Sequence, residues 1–337
     1  MFERKVLAAK FLEGCGWENA RLEHLAGDAS NRSYQRLTRT NTGETAVLMD
    51  APPAQGEDIR PFVKMTNHIL GLGLSAPRIY AQDAQNGFLL IEDLGDALFA
   101  RLIREQPDME HTLYCAAVDL LVQLHQHPAP DGLLDYSAAI MADYISPIFD
   151  WYYPAKSSQI TAITLELETV LSESCTAQSV MALRDYHAEN LLWLPDRNGT
   201  KRTGLLDYQD AVVAHPAYDL VSLLQDARRD VSAQIQTEMI ARYIKATNAD
   251  SRSFHVAYCA QGAQRNLRII GVFARLCIAA GKPDYIDLIP RVWGHLNDDL
   301  SHPALKTLNT LVFDTLPEPT PDLMQRLKNK CKNRPTP

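Results

Sequence analysis

Near the start of the chain, apolar residues fall at Val6, Leu7, Phe11 and Leu12, a helical spacing that Gly14 and Gly16 close. From Arg21 to Asp50 the pattern changes to short extended runs, RLEHLA, YQRLT and TAVLMD. The loop GDASN and the turn Asn41-Thr42-Gly43 separate them, so a three-strand meander is predicted. After the Pro52-Pro53 break, IRPFVKMTNHILGLGL returns to helical periodicity, and Arg78 to Tyr80 and Gly87 to Glu92 predict two more strands. LYCAAVDLLVQLHQH and MADYISPIFDWYY then carry long helical patterns. NLLWL and TGLLDY flank PDRNGTKR, where Asn198-Gly199 predicts a tight hairpin turn because both residues tolerate positive φ. Beyond Asp219, the segments SLLQDARRDV, IQTEMIARYIKA and His255 to Ala280 continue the helical character. The basic tail QRLKNKCKNRPTP predicts a solvated, partly frayed end and not a binding arm.

At 337 residues this pattern divides into two parts: a small α+β lobe over residues 1–94 and a larger, mostly helical lobe over residues 95–337. A net charge of -8 argues against a nucleic-acid partner, since such binding draws on clustered Lys and Arg neutralising phosphates. The six cysteines are scattered without a CxxC pair, which fits a reducing cytoplasm better than a disulfide framework or a zinc site. The amphipathic start lacks a secretory apolar core, and no apolar run approaches membrane-spanning length, so a membrane partner is not expected.

The sharpest chemical signal is Leu183-Arg184-Asp185-Tyr186-His187-Ala188-Glu189-Asn190, with Asp207 seventeen positions after Asn190 in Gly204-Leu205-Leu206-Asp207-Tyr208-Gln209. Phosphoryl transfer from ATP needs a carboxylate at the attacking hydroxyl and oxygen ligands for Mg²⁺ on the phosphates. A D-x-x-x-x-N loop followed by an Asp across a hairpin supplies both: Asp185 to take the hydroxyl proton, Asn190 and Asp207 to hold the metal. The same residue types also make Asx turns and strand-end carboxylates, so the spacing carries the reading.

These residues resemble the aminoglycoside phosphotransferase family, whose catalytic loop reads H-G-D-x-H-x-x-N. Asp185, His187, Asn190 and Asp207 fall in register with it, while Leu183 and Arg184 stand where that family usually has His and Gly. The resemblance implies the protein-kinase-like bilobal fold, a loop-bracing role for His187, and a structural role for Asp219 in hydrogen bonding to the loop. Asp210 reads as a solvated carboxylate.

In such a fold the loop after the first strand covers phosphate. Here that loop offers Gly27, Ala29, Ser30, Asn31 and Arg32, with backbone N–H groups, the Ser30 hydroxyl and the Arg32 guanidinium as donors. The run Phe88 to Gly95 is the expected hinge, binding adenine through the Glu92 carbonyl and the Leu94 N–H. The third strand has Met49 where a phosphate-binding lysine is usual. Arg32 is the first candidate to replace it and Arg36 the competitor, with Glu57 a loose counterpart of the glutamate that normally pairs with the lysine.

LAGDASNRSYQRL, VLMDAPP, RPFV, FLLIEDLGD, LRDYHAENLLWL and AQRNLRIIGVFARL together resemble a branch of that superfamily, the bacterial anomeric kinases of N-acetylmuramate and N-acetylglucosamine. This implies ATP-dependent phosphorylation of a sugar at C1 in cell-wall sugar recycling. Polar positions Gln261, Gln264, Arg265 and Arg268 recur at helical spacing and either line a cleft or face solvent; Arg265 or Arg268 would suit a lactyl carboxylate. Asp150, Trp151 and Tyr152 serve equally as a sugar surface or as core. A kinase of another hydroxylated metabolite or an aminoglycoside, and a nucleotide-binding module without turnover, are the other readings.

Overall fold

The computed structural model describes residues 2–25, 31–177 and 179–332. The chain forms two compact units, residues 1–127 with 188–211 and residues 128–187 with 212–337.

In the first unit the predicted meander forms. Strands β1 (Arg21–His24), β2 (Ser33–Thr38), β3 (Thr45–Asp50), β4 (Ile79–Asp83) and β5 (Phe88–Glu92) make an antiparallel sheet ordered β1-β2-β3-β5-β4. Four consecutive residues of β3, Ala46 to Met49, are buried, so both faces of the central strand are covered. On one face Ala46, Leu48, Phe88, Leu90 and Leu37 pack with Leu12 and Trp17, which places helix α1 (Phe2–Gly14) and the turn after it over the sheet. Each buried Leu or Phe contributes about 1.5–3 kcal/mol. Arg4 pins this helix: its Nε donates to Asp50 Oδ1 at 2.8 Å, and its guanidinium lies 4.0 Å from the Phe88 ring centroid. The β4–β5 turn needs Gly87, since its φ is +72° and a Cβ there would stand 2.0 Å from the Ala51 carbonyl oxygen.

Helix α2 (Arg60–Gly71) starts with Pro61 in its first turn and buries Phe62, Met65 and Ile69 on one stripe. Helices α3 (Phe99–Glu105) and α4 (Glu110–Leu124) follow. The later segment adds the hairpin of β7 (Leu191–Trp193) and β8 (Thr203–Leu205), with Leu191 opposite Leu205. Its connection differs from the predicted tight turn. Asn198 is extended at φ -113° and Gly199, at φ +59°, opens a 3₁₀ turn over Gly199–Arg202. A longer loop is favoured because Arg197 donates to Glu92 Oε1 at 2.6 Å and Arg202 Nε donates to the Arg197 carbonyl at 2.9 Å. Gly204 in β8 is closely surrounded: the Leu94, Leu192 and Leu194 side chains lie 3.1–3.3 Å from where its Cβ would be, so a side chain there would push them back by a few tenths of an ångström.

The second unit is helical apart from a short antiparallel pair, β6 (Val180–Ala182) with β9 (Val212–Ala214). Its helices are α5 (Ala138–Asp143), α6 (Ser157–Ser174), α7 (Ala217–Leu224), α8 (Ala233–Thr247), α9 (Ser251–Ala280), α10 (Ile289–Leu300), α11 (Lys306–Thr315) and α12 (Pro321–Lys332). Helix α9 supplies Ala260, Ala263, Leu267, Ile270, Phe273, Ala274 and Cys277 to one core. It is capped by Asp250, which accepts from Ser253 N, and by Gly281 at φ +69°.

Two expectations are corrected here. MADYISPIFDWYY is not one helix: α5 ends at Asp143, and a single wide turn over Ile148–Tyr152 follows Pro147, which lacks an N–H. The break is locked by α9, where a Cβ on Gly271 would lie 2.2 Å from Ile148 N. The basic tail, in turn, is helical through Lys332, because Leu323, Met324 and Leu327 are buried and Lys328 Nζ meets Asp287 at 2.6 Å. Among the described residues no helix is long and apolar enough to cross a membrane.

Candidate active site

The chain passes from the second unit to the first between His187 and Ala188 and returns between Ala211 and Val212. The motif is therefore shared: Asp185, His187 and Asp219 belong to the helical unit, Asn190 and Asp207 to the sheet unit.

In the helical unit β6 delivers the chain into a sharp turn closed by Asp185 N donating to the Leu183 carbonyl at 2.9 Å. Arg184 in this turn has φ +71°, a backbone that glycine adopts without strain. Two helices hold it. From α7, Asp219 accepts from Leu183 N at 2.6 Å and from Arg184 N at 2.9 Å. Ser222 Oγ, one turn on, donates to the Arg184 carbonyl at 3.0 Å, and Arg265 Nη2 from α9 donates to that same Oγ at 2.8 Å. Asp185 is left exposed.

Asp219 is fully buried, and burial pushes its carboxyl up to about 7, with Asp185 adding to the rise and the two N–H donors and Arg265 opposing it. His187 is also buried; burial, then the charges of Arg228 and Arg265, push its imidazole down to about 3. Its Nε2 accepts from Arg228 Nη1 at 3.5 Å. A ring this reluctant to take a proton is a poor base near neutrality, so the geometry suits bracing.

The polar stripe on α9 is largely turned inward. Gln261 Nε2 donates to Cys175 Sγ at 3.1 Å, Gln264 Nε2 to the Met141 carbonyl at 2.7 Å, and Arg265 is buried against Ser222. Arg268 is half-buried and has no hydrogen-bond partner among the described residues. Tyr152 and Trp151 are core: the Tyr152 hydroxyl donates to the Pro317 carbonyl at 2.7 Å, and Trp151 packs against the buried cluster.

In the sheet unit, strand pairing brings the second half of the motif together. Asn190 precedes β7, Asp207 follows β8, and Leu206 N donates to the Asn190 carbonyl at 3.0 Å. The Asn190 Nδ2 and Asp207 Oδ2 atoms are 3.5 Å apart. Asp207 sits at φ +55°, and its Oδ1 accepts from Gln209 Nε2 at 2.7 Å. A carboxamide beside a carboxylate is an oxygen donor set of the kind Mg²⁺ shares with substrate phosphates and water. Gln209 was not singled out from the sequence, although it lies two residues from Asp207. Nor was Tyr208, whose ring stacks on Phe62 at 5.2 Å and whose hydroxyl meets Thr66 Oγ at 2.7 Å, tying α2 to the loop after β8.

Met49 is wholly buried, with Tyr34 and Leu89 as its cross-strand neighbours, and so belongs to the core. Arg32 instead forms the cation–carboxylate pair: its Nε donates to Glu57 Oε2 at 2.8 Å. Glu57 Oε1 accepts from Asn31 N at 3.0 Å, and the Asn31 side chain reaches the Gln55 carbonyl at 3.3 Å. Burial opposes the Arg32 charge, but Tyr34, Glu57 and Asp210 outweigh it and hold the guanidinium pKa above its usual value. Gly27, Ala29 and Ser30 lie outside the described residues. Arg36 is committed elsewhere, meeting Asp93 at 2.7 Å and Asp96 at 2.8 Å in the turn after β5. In that turn the Leu94 N–H has no hydrogen-bond partner among the described residues, and the Glu92 side chain is held by Arg197.

The profile of the phosphotransferase enzyme family matches residues 21–255, which include Arg32, Glu57, Asp185, Asn190, Asp207 and Asp219. A protein called N-acetylmuramate/N-acetylglucosamine kinase from Caulobacter vibrioides is 38% identical, over 91% of this chain and 95% of its own. Another so named, from Pseudomonas aeruginosa, is 32% identical over 88% and 90%. Among solved structures, choline kinase LicA from Streptococcus pneumoniae aligns with a TM-score of 0.65 at 16% identity, covering 88% of this chain and all of its own. LicA in complex with AMP gives 0.59 at 13% identity, over 87% and 98%. The fold is thus the protein-kinase-like one, and the matched span carries the whole D-x-x-x-x-N and hairpin-Asp motif; the chain belongs to the phosphotransferase enzyme family.

Proposed function

We propose that the protein is an ATP-dependent sugar kinase acting on the anomeric C1 hydroxyl of N-acetylmuramate, N-acetylglucosamine or both, in cytoplasmic recycling of cell-wall sugars. The observation that carries this reading is the 38% identity to a relative of that name over 91% of the chain, in a chain that has Asp185, Asn190 and Asp207 at the phosphoryl-transfer spacing. In this reading Asp185, exposed on its braced turn, accepts the C1 hydroxyl proton. The hydroxyl oxygen bonds to the γ-phosphorus as the bond to the ADP oxygen breaks. Asn190 and Asp207 would hold Mg²⁺, which when bound neutralises charge on the β- and γ-phosphates. Arg32, fixed by Glu57, adds a cation at the phosphates, and the Glu92 carbonyl and Leu94 N–H receive adenine. Asp219 and His187 keep the Asp185 turn in shape.

The test is incubation with ATP and Mg²⁺ against a panel of amino sugars, choline and aminoglycosides, with the new phosphate located by ³¹P NMR and Asp185→Asn as control. Phosphate at C1 of an N-acetylated sugar, lost in the variant, is the expected outcome. Turnover of choline or an aminoglycoside in preference to any sugar would overturn the reading.

A further inference from the structure

The connection between β7 and β8 has the residues of a two-residue hairpin turn in Asn198-Gly199, yet it runs as a longer loop. Hydrogen bonds within the sheet unit pin that loop open. Ser75 Oγ donates to the Lys201 carbonyl at 2.7 Å, and Leu205 N donates to the Ser75 carbonyl at 2.8 Å. Thr200 meets Gln123, whose Nε2 donates to the Leu72 carbonyl at 3.0 Å. Spread in this way, the loop forms part of a cavity of about 540 Å³. Small-molecule sites run to about 300–1,000 Å³. The rest of the lining comes from the last turn of α2, from Gly73 at φ +74° and from the segment leading to β4. All of it belongs to the sheet unit, and none of its residues is among those assigned above to nucleotide, metal or acceptor.

Three cations line this cavity, Arg78, Arg197 and Lys201, and no carboxylate does. Arg197 is offset by Glu92, meeting its Oε1 at 2.6 Å. The Arg78 and Lys201 side chains have neither a hydrogen-bond nor an ion-pair partner among the described residues. Two positive charges are thus left uncompensated on one concave surface. A phosphate monoester carries about −1.5 to −2 near neutral pH, which matches them, whereas a single carboxylate would leave one cation over. A guanidinium fork takes two phosphate oxygens side by side, and an ammonium acts as a point charge beside it. Leu70, Leu74 and the Asn198 carboxamide add apolar surface and a hydrogen-bonding group for an organic body attached to the phosphate.

We propose that this cavity is a second ligand site, taking a phosphate monoester of a small polar molecule, with Arg78 and Lys201 on the phosphate. Its occupant also sits beside Arg197, the residue that holds the Glu92 side chain at the end of β5.

The experiment is isothermal titration calorimetry with glucose 6-phosphate, inorganic phosphate and gluconate on wild type, Arg78→Gln, Lys201→Gln and Asp207→Ala. Arg78 and Lys201 are exposed, so both variants should fold, and thermal melts check it. Glucose 6-phosphate should bind wild type and Asp207→Ala alike, and each cavity variant should weaken its Kd about 10- to 150-fold, the value of a hydrogen-bonded charge. Gluconate and inorganic phosphate should both bind wild type more weakly than the ester. Inorganic phosphate binding as tightly would make the free ion the ligand and overturn the ester; gluconate binding as tightly would overturn the phosphate. A Kd unchanged in both cavity variants, or binding lost in Asp207→Ala, would place the ligand elsewhere and overturn the site, as would no binding of any of the three at millimolar concentration. Binding is read without turnover, so the result is independent of which acceptor the protein phosphorylates.

Discussion

Removing Arg32 separates its two consequences, for catalysis and for stability. Arg32 and Glu57 meet at 2.8 Å with each side chain only 11% exposed, so the pair is substantially desolvated. As a fixed cation at the transferring phosphate, Arg32 should be worth about 2–4 kcal/mol in the transition state. Arg32→Ala then lowers kcat/KM for ATP about 30- to 900-fold. It also strands the Glu57 carboxylate, at a stability cost of about 1.5–3 kcal/mol. Adding Glu57→Ala removes the stranded charge, so the double variant regains melting temperature but not activity. Arg36→Ala is the comparison: its guanidinium is spent on Asp93 and Asp96, so its main effect is on the melt. The assay is ADP release at saturating sugar with varied ATP, beside thermal melts of all variants. If Arg32→Ala stays within about threefold of wild type, or the double variant recovers turnover with stability, the phosphate role is wrong and Arg32 only closes an ion pair.

Asn190→Ala and Asp207→Ala should each raise the Mg²⁺ concentration for half-maximal rate, since each deletes an oxygen ligand; an unchanged titration in both would remove the metal assignment. His187 is neutral in the fold down to about pH 3, whereas unfolded histidine takes a proton near 6.5. Its contribution to stability is therefore present above pH 6.5 and lost as pH falls from 6.5 towards 3, reaching about 2 kcal/mol at pH 5. Urea melts of wild type and His187→Gln at pH 7.5 and 5 should show a shallower loss in the variant; parallel losses would place the acid sensitivity elsewhere. Gly271→Ala would press a Cβ 2.2 Å from Ile148 N, and overpacking of this kind should lower Tm by about 2–12 °C. A Tm within a degree of wild type would show that the contact yields.

The D-x-x-x-x-N and hairpin-Asp pattern within the span that the family profile matches was legible because the chemistry proposed for it fixes its spacing: one loop would carry a carboxylate and, five residues on, a metal oxygen, with the second ligand across a hairpin. The sheet was legible because TAVLMD and FLLIE are apolar runs bounded by turn residues. The Arg184 strain was half-visible, as an arginine in a slot where glycine is usual. The pair β6 and β9 was not, since each has three residues, too few for a period to register, and they are distant in sequence. Ser222 and Gln209 were missed because polar residues inside apolar segments look alike until their partners are placed. The Asn198-Gly199 signal was read too locally: the ion pair of Arg197 with Glu92 outweighs the turn preference of the dipeptide. The stripe with Arg265 reads equally as cleft-lining or solvent-facing, and Arg265 is instead buried, because helical periodicity shows which residues share a face but not what covers it.

The interrupted path of the chain has a consequence for synthesis. The sheet unit ends its first segment at residue 127 and is finished only by residues 188–211. At about 5–20 residues per second, the intervening 84 positions (211 − 127) take about 4–17 s to translate. During that interval the first segment, its five strands already present, waits for Trp193 N to reach the Ala97 carbonyl, for Leu205 N to reach the Ser75 carbonyl, and for Thr200 to meet Gln123. A product terminated after α4 would hold the Arg32–Glu57 pair and the turn after β5, yet lack both Asn190 and Asp207. Premature termination there leaves the five-stranded sheet without the β7–β8 hairpin, and the Ala97 and Ser75 carbonyls without the donors they meet in the full chain, a substrate for proteases and chaperones.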